Sequence, residues 1–267
     1  MIYIFNKTSI GYAHINSNMI CQDYSDSYVC DDFIILTACD GHGGKIYIRS
    51  DVGAKLASQA IIDVVKNIGK EKIKNLIEKE NLDRFKLELI CKWNELIEKH
   101  YSDNPFTEEE LNILNESQKF VLLNHFVTAY GTTLNAAILT EEHLICIQIG
   151  DGGIFLVKDN DVEEAIKDNN ENIANLTFSL CGDDAYSHLY IKVYNKEGFD
   201  GVIICTDGVL TPYQTYSNLN EHFIRPIIKN LKVINSKTTE DLDAFIDLLG
   251  KEIGVGDDVS LGIIYYR

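Results

Sequence analysis

Three observations predict an α+β fold built on antiparallel sheets. Apolar runs of strand length recur between turn residues. Helix-period patterns are gathered in one block, about residues 51–127, instead of alternating regularly with strands. Several of the strand-like runs follow one another closely enough to be joined by hairpins.

Taken in order, "MIYIF" (1–5), "SIGYAHI" (9–15) and "YVCDDFIILTAC" (28–39) read as strands. From Ser50 the period changes, because Val52, Leu56, Ala60, Ile61, Val64, Val65 and Ile68 recur at helical spacing. Residues 70–100 carry Phe85, Leu89, Trp93, Leu96 and Ile97 on one stripe, the pattern of a surface helix packed on a core. Thr107 and Glu110 stand at capping-box spacing in "PFTEEELNIL", which predicts a further short helix. "TTLNAAIL" (132–139), "HLICIQIG" (143–150) and "GIFLV" (153–157) read as an antiparallel meander. A polar stretch, 159–175, follows, and then the strands "YIKVY", "GVIICTD" and "DDVSLGIIYY". The 267 residues contain three prolines and no linker-like segment, so one domain spanning 1–267 is expected.

Composition narrows the function. A formal charge of -17 repels nucleic-acid phosphates and anionic membrane surfaces, which argues against both as partners. No apolar stretch approaches the roughly 18 residues of a membrane span, and the opening residues lack the pattern of a signal peptide, so a cytoplasmic location is expected. The seven cysteines are scattered and never form a C-x-x-C pair, which predicts reduced thiols acting as small core residues.

The chemistry lies in the aspartates. Asp-Gly is ordinarily a turn signal, and Asp200-Gly201, standing before its strand, fits that role. Asp40-Gly41, Asp151-Gly152 and Asp207-Gly208 differ, because each closes an apolar run, and Asp257-Asp258 immediately precedes the last strand. If the sheets bring these ends together, several carboxylates converge. Like charges so gathered repel one another unless cations intervene. An all-oxygen donor set suits Mg²⁺ or Mn²⁺ rather than zinc. Glycine beside the carboxylates lets backbone approach an ion closely.

"CQDY" (21–24), "ACDGHGG" (38–44), "YGTTL" (130–134), "IGDGGIFLV" (149–157), "CTDGVL" (205–210) and "GDDVS" (256–260) together resemble the metal-dependent protein phosphatases of type 2C, in particular the bacterial branch with a C-Q-D motif. The likeness spans residues 9–264. It implies a four-layer α/β/β/α sandwich, two central antiparallel sheets flanked by helices. It also implies hydrolysis of phosphoserine and phosphothreonine in proteins by a hydroxide bridging two Mg²⁺ or Mn²⁺ ions, opposing a serine/threonine kinase in signalling. By the same resemblance Asp40 bridges both ions, the Gly41 carbonyl binds the second, Asp207 and Asp257 complete the first, and Asp23 acts through water. Asp151 matches a position that can hold a third, weaker ion, and His42 matches the general acid.

Two positions depart from the pattern. Gln22 stands where many relatives have a metal-binding glutamate, and Asn18 where many carry an arginine that grips the substrate phosphate. Arg49, Lys45 and His14 are the candidate replacements for that arginine. These departures keep a second reading open: a catalytically weak or inactive member of the fold acting as a regulatory binding module. Cys39 to Lys45 is also one residue from the C-x5-R loop of cysteine phosphatases, although lysine lacks the guanidinium fork and Asp40 would raise the thiol's pKa.

Overall fold

The computed structural model describes residues 2–73, 79–159, 161–167 and 177–266. The chain runs β1 (Tyr3–Ser9), α1 (Tyr12–Asn16), β2 (Tyr24–Val29) and β3 (Ile34–Cys39) into a helical block. That block holds α2 (Ser50–Ile73), α3 (Lys79–Asp103), α4 (Glu108–Asn112) and α5 (Glu116–Asn124). Then come β4 (Leu134–Leu139), β5 (His143–Ile149), β6 (Gly153–Lys158), β7 (Asp161–Glu164), α6 (Ala185–His188), β8 (Tyr190–Asn195) and β9 (Gly201–Cys205). The last stretch is α7 (Asp207–Leu210), α8 (Tyr216–Leu219), α9 (Arg225–Leu231), α10 (Thr238–Leu248) and β10 (Val259–Tyr265).

The strands form two five-stranded antiparallel sheets, ordered β1-β10-β9-β6-β7 and β2-β3-β4-β5-β8. Ile34, Leu36, Ala137, Leu144, Ile154, Leu156, Val202, Ile204 and Ile264 fill the layer between them. The outer face of the second sheet packs on α2 and α3 through Ala57, Ile61, Phe85, Leu89 and Trp93, as the stripe predicts. The outer face of the first sheet packs on the C-terminal helices through Phe223, Ile227, Leu242 and Ile246. Because both sheet faces are covered, central strands such as "LNAAIL" are apolar throughout instead of alternating. Thr107 and Glu110 form the expected capping box at α4, with each side chain accepting from the other's backbone N–H.

Four expectations are corrected. "SIGYAHI" is not a strand: β1 ends at Ser9 and α1 follows, because the Gly11 and Ala13 amides donate to Asp258 Oδ1 and Gly256 O in place of a sheet ladder. "YVCDDFIILTAC" holds a hairpin turn, closed by Cys30 N–H on Phe33 O, so β2 and β3 are separate strands. The predicted meander breaks after β5, since β6 pairs with β7 and β9 in the other sheet. The polar stretch 159–175 contributes β7, and its residues 160 and 168–175 lie outside the described residues.

Candidate metal centre

Strand register sets the location of the site. Tyr24 pairs with Cys39 and Leu134 with Ile149 in one sheet, while Leu261 pairs with Cys205 and Cys205 with Gly153 in the other. The residues just beyond these pairs, Asp23, Asp40, Asp151, Asp207 and Asp257, therefore leave the sandwich at one edge. The β5–β6 crossing between sheets delivers Asp151 there, through a turn that needs Gly150 at φ 105°. Asp200 lies at the opposite end of β9, where its carboxylate accepts from the Asp159 amide, the turn role the sequence suggests.

One carboxylate oxygen from each of Asp40, Asp151 and Asp207 lies within 4.8 Å of the others. They line a cleft of about 480 Å³ together with His14, Gln22, Gly41, His42, Tyr47, Thr177, Asp257 and Asp258. Among the described residues the cleft is lined by five aspartates and by no lysine or arginine. Burial raises the Asp40 carboxyl well above the usual carboxylate range, and the charges of Asp23, Asp207 and Asp257 raise it further. Asp207 and Asp257 are raised for the same first reason, burial, with Asp151 adding repulsion at each. An anionic, all-oxygen donor set of this kind fits hard divalent cations, which would relieve the repulsion.

The surroundings hold these groups in position. Asp40 O accepts from the Thr133 amide at 2.8 Å and from Thr132 Oγ1 at 2.9 Å. Gly41 threads between two backbone segments: a Cβ there would lie 2.6 Å from Gln22 O and 2.7 Å from Ser50 O, so no larger residue fits. Asp23 does not line the cleft. It is buried, with its Oδ2 accepting from Thr206 Oγ1 at 2.7 Å, and burial pushes its carboxyl well above the ordinary range. Gln22 turns inward, its amide donating to Ser50 Oγ at 2.6 Å and to His42 O at 3.2 Å.

His42 lies at the cleft wall with Tyr47 edge-on at 4.8 Å between ring centroids. Gly131 floors both rings, since a Cβ there would meet Tyr47 Cδ1 at 2.5 Å and His42 Cδ2 at 2.8 Å. Burial lowers the imidazole pKa, opposed by the charge of Asp151.

The candidate phosphate ligands fare differently. Arg49 is corrected: all five of its N–H groups are already engaged, on Glu110 Oε1 and Oε2, Asn104 O, Pro105 O and the Tyr130 hydroxyl. It is a structural clamp between α2 and the segment before α4, with nothing left for a substrate. Lys45 is exposed on the loop after Asp40 and does not line the cleft. His14 does line it, with Nδ1 2.9 Å from Asp258 Oδ2. The cysteine-nucleophile alternative fails, because Cys39 is wholly buried in β3 and its thiol is pushed well up by burial and then by Asp23 and Asp40. All seven cysteines are unpaired.

Sequence reasoning named Asp258 beside Asp257 but gave it no role of its own. Its Oδ1 accepts from Gly11 N–H at 2.8 Å and its Oδ2 from Gln22 N–H at 2.6 Å, so it ties the N-terminal segment to the last strand. Its doubled carboxylate with Asp257 was the available signal. Tyr47 and Thr177, which donates to Asp151 Oδ2 at 2.6 Å, carried none.

Comparison with known proteins bears on this arrangement. A search of curated proteins finds no match. Among solved structures, a bacterial serine phosphatase superposes with a TM-score of 0.64 at 14% identity, covering 100% of this chain and 98% of that one. Serine/threonine phosphatase Stp1 from Staphylococcus aureus gives 0.62 at 14% identity, covering 100% and 96%. The catalytic domain of the serine threonine protein phosphatase PstP, in complex with 2 manganese ions, gives 0.57 at 15% identity, covering 99% and 97%. These likenesses establish the fold. The family model described as Protein phosphatase 2C matches residues 10–247. Among the described residues no helix is long and apolar enough to cross a membrane. The chain belongs to the protein phosphatase 2C family, the protein serine/threonine phosphatases that use Mn²⁺ or Mg²⁺.

Proposed function

We propose that the chain hydrolyses phosphoserine and phosphothreonine in proteins at this cleft, using two Mn²⁺ or Mg²⁺ ions, in opposition to a serine/threonine kinase. The observation that carries the reading is the convergence of Asp40, Asp151 and Asp207, just beyond the ends of three separate strands, within 4.8 Å. Asp40, Asp207 and Asp257 with the Gly41 carbonyl would hold the pair, and Asp151 a third, weaker ion. Bound ions supply Lewis acidity that makes water nucleophilic near neutral pH and offsets phosphate charge. The protein's own contribution is positional. Thr132 and Thr133 fix the backbone of Asp40, and Thr206 fixes Asp23 behind it. His42 holds a proton for the departing serine or threonine oxygen, a task that requires only hydrogen-bond reach and a titratable ring. The seven unpaired thiols suit the cytoplasm.

A second reading, a regulatory binding module without turnover, draws on the absence, among the described residues, of any lysine or arginine from the cleft lining and on the inward turn of Gln22. One assay separates the two. Purified protein with Mn²⁺ should release phosphate from a phosphothreonine peptide, and Asp40→Asn should lower kcat by about a thousandfold or more. Wild-type protein that binds the peptide but releases no phosphate would establish the binding module instead.

A further inference from the structure

The wall of surface beside the cleft, from which His14 reaches into it, differs in chemistry from the rest of the molecule. It is built from residues 10–21 and 253–256, and although 24% of the chain is charged, these two segments contain no Asp, Glu, Lys or Arg. They pack together: Ala13 N–H donates to Gly256 O at 3.0 Å, and the Tyr12 ring and Ala13 Cβ lie about the α-carbon of Gly256. Asn18, at φ 53°, turns the chain so that Met19 N–H returns to His14 O at 2.9 Å. On this wall Ile15, Met19, Ile20, Ile253 and Val255 are each between 41% and 62% exposed.

Their neighbours in sequence are the cleft residues themselves. His14 precedes Ile15, Gln22 follows Ile20 by two positions, and Asp257 follows Val255 by two. A phosphoprotein whose phosphate enters the cleft can lay residues flanking its phosphoserine or phosphothreonine against this wall. A contiguous exposed apolar surface beside a polar site marks a binding face. This surface has no charged side chain to pair, and among the described residues no lysine or arginine in the cleft lining would join bound cations in gripping the phosphate, so what it adds to substrate affinity comes from apolar burial.

We propose that this rim selects the substrate: the phosphatase takes phosphoserine or phosphothreonine segments whose flanking residues are apolar, and it disfavours segments with acidic flanks. The inference rests on the phosphatase reading above. Contacts made by flanking residues lie away from the reacting phosphorus, so they can strengthen binding without touching the chemistry.

The test uses the full chain with Mn²⁺ and three phosphothreonine peptides identical except for their flanks: leucine and isoleucine, serine and glutamine, or glutamate. p-Nitrophenyl phosphate, which has no flanks, is the control. Wild-type kcat/KM should favour the apolar peptide over the serine and glutamine one by about tenfold, a gap one well-buried side chain can supply. The double variant Ile20→Ser/Val255→Ser, with Ile15→Ser as an independent check, should remove that preference while p-nitrophenyl phosphate turnover stays within about twofold.

Equal kcat/KM for the three peptides, or a preference that survives in both variants, overturns the proposal. A dimer that the variants convert to monomer overturns it too, since the rim would then be covered by a second copy. If neither peptide nor p-nitrophenyl phosphate is hydrolysed, the phosphatase reading falls separately. Fluorescence anisotropy of the labelled peptides on Mn²⁺-loaded protein then decides the rim by the same tenfold criterion.

Discussion

Single side chains at the cleft divide into those that face it and those that hold others in place. Tyr47 does both, lining the cleft while its ring meets His42 edge-on above Gly131. If that contact orients the imidazole for proton delivery, its loss should matter only where a proton is needed. Tyr47→Ala should lower kcat on a phosphoserine peptide by about tenfold while p-nitrophenyl phosphate, whose leaving group departs without protonation, changes by less than about twofold. Tyr47→Phe should restore the peptide rate. Equal loss on both substrates would show that Tyr47 merely shapes the cleft. The aspartates were legible in sequence because an Asp-Gly pair that ends an apolar run is unusual for a plain turn. The holding residues were not, since nothing in "GGKIYIRS" distinguishes a tyrosine turned toward His42 from one turned to solvent.

Arg49 illustrates the same limit for the elements that pack around the cleft. Near "DGHGG" it read as a candidate phosphate ligand, and sequence proximity to the motif was accurate while direction was hidden. The side chain points to the α3–α4 connection, where Phe106 lies 4.7 Å beneath the guanidinium and Glu110 takes two of its N–H groups. The bond to Arg49 lowers the Glu110 pKa. A depressed carboxylate contributes stability that is present above its unfolded pKa and is lost as pH falls through the folded one. Arg49→Ala should destabilise the fold by about 1.5 kcal/mol, by removing the clamp on Glu110, Asn104 and Pro105, whose part-exposed acceptors water can re-solvate, with KM for a phosphopeptide unchanged. Urea denaturation at pH 7, repeated at acid pH low enough to carry Glu110 through its depressed folded pKa, should show the gap between wild type and Arg49→Ala narrowing. A raised KM in a stably folded variant would return Arg49 to the site. Strand identity was legible wherever both faces are buried. The α1 error and the false meander have a common origin, because both depend on which distant segment satisfies the backbone N–H groups, and local pattern does not encode that.

Across the whole molecule, a net charge of -17 and a cleft with five aspartates make divalent cations a structural asset as well as a catalytic one. Ligands that bind only the folded state raise its stability by mass action, about 2.7 kcal/mol at a hundred times Kd. Thermal melts at pH 7 should show Tm rising with Mn²⁺ and falling back with EDTA, and Asp207→Asn should blunt the rise. A Tm indifferent to Mn²⁺ would count against the ligand assignment. The overall architecture was legible because blocks of strands and helices, read with the six motifs, specify which layers exist. The switch of β6 from one sheet to the other was not, because a three-residue turn looks the same whether it joins partners or crosses a gap.

That crossing has a wider effect. Asp40 hangs from one sheet, Asp207 and Asp257 from the other, and besides the polar ties of Thr206 to Asp23 and Gln22 to Asp258 they are aligned by the apolar filling in between, where Leu36 nests over the bare backbone of Gly262. The cleft is in this sense a vernier, reading the offset of two plates at their rim. Leu36→Ala, far from any donor atom, should weaken Mn²⁺ binding measured by calorimetry while the far-ultraviolet circular dichroism still reports an intact sandwich. Drift in such a lineage would silence the enzyme before it unravelled it.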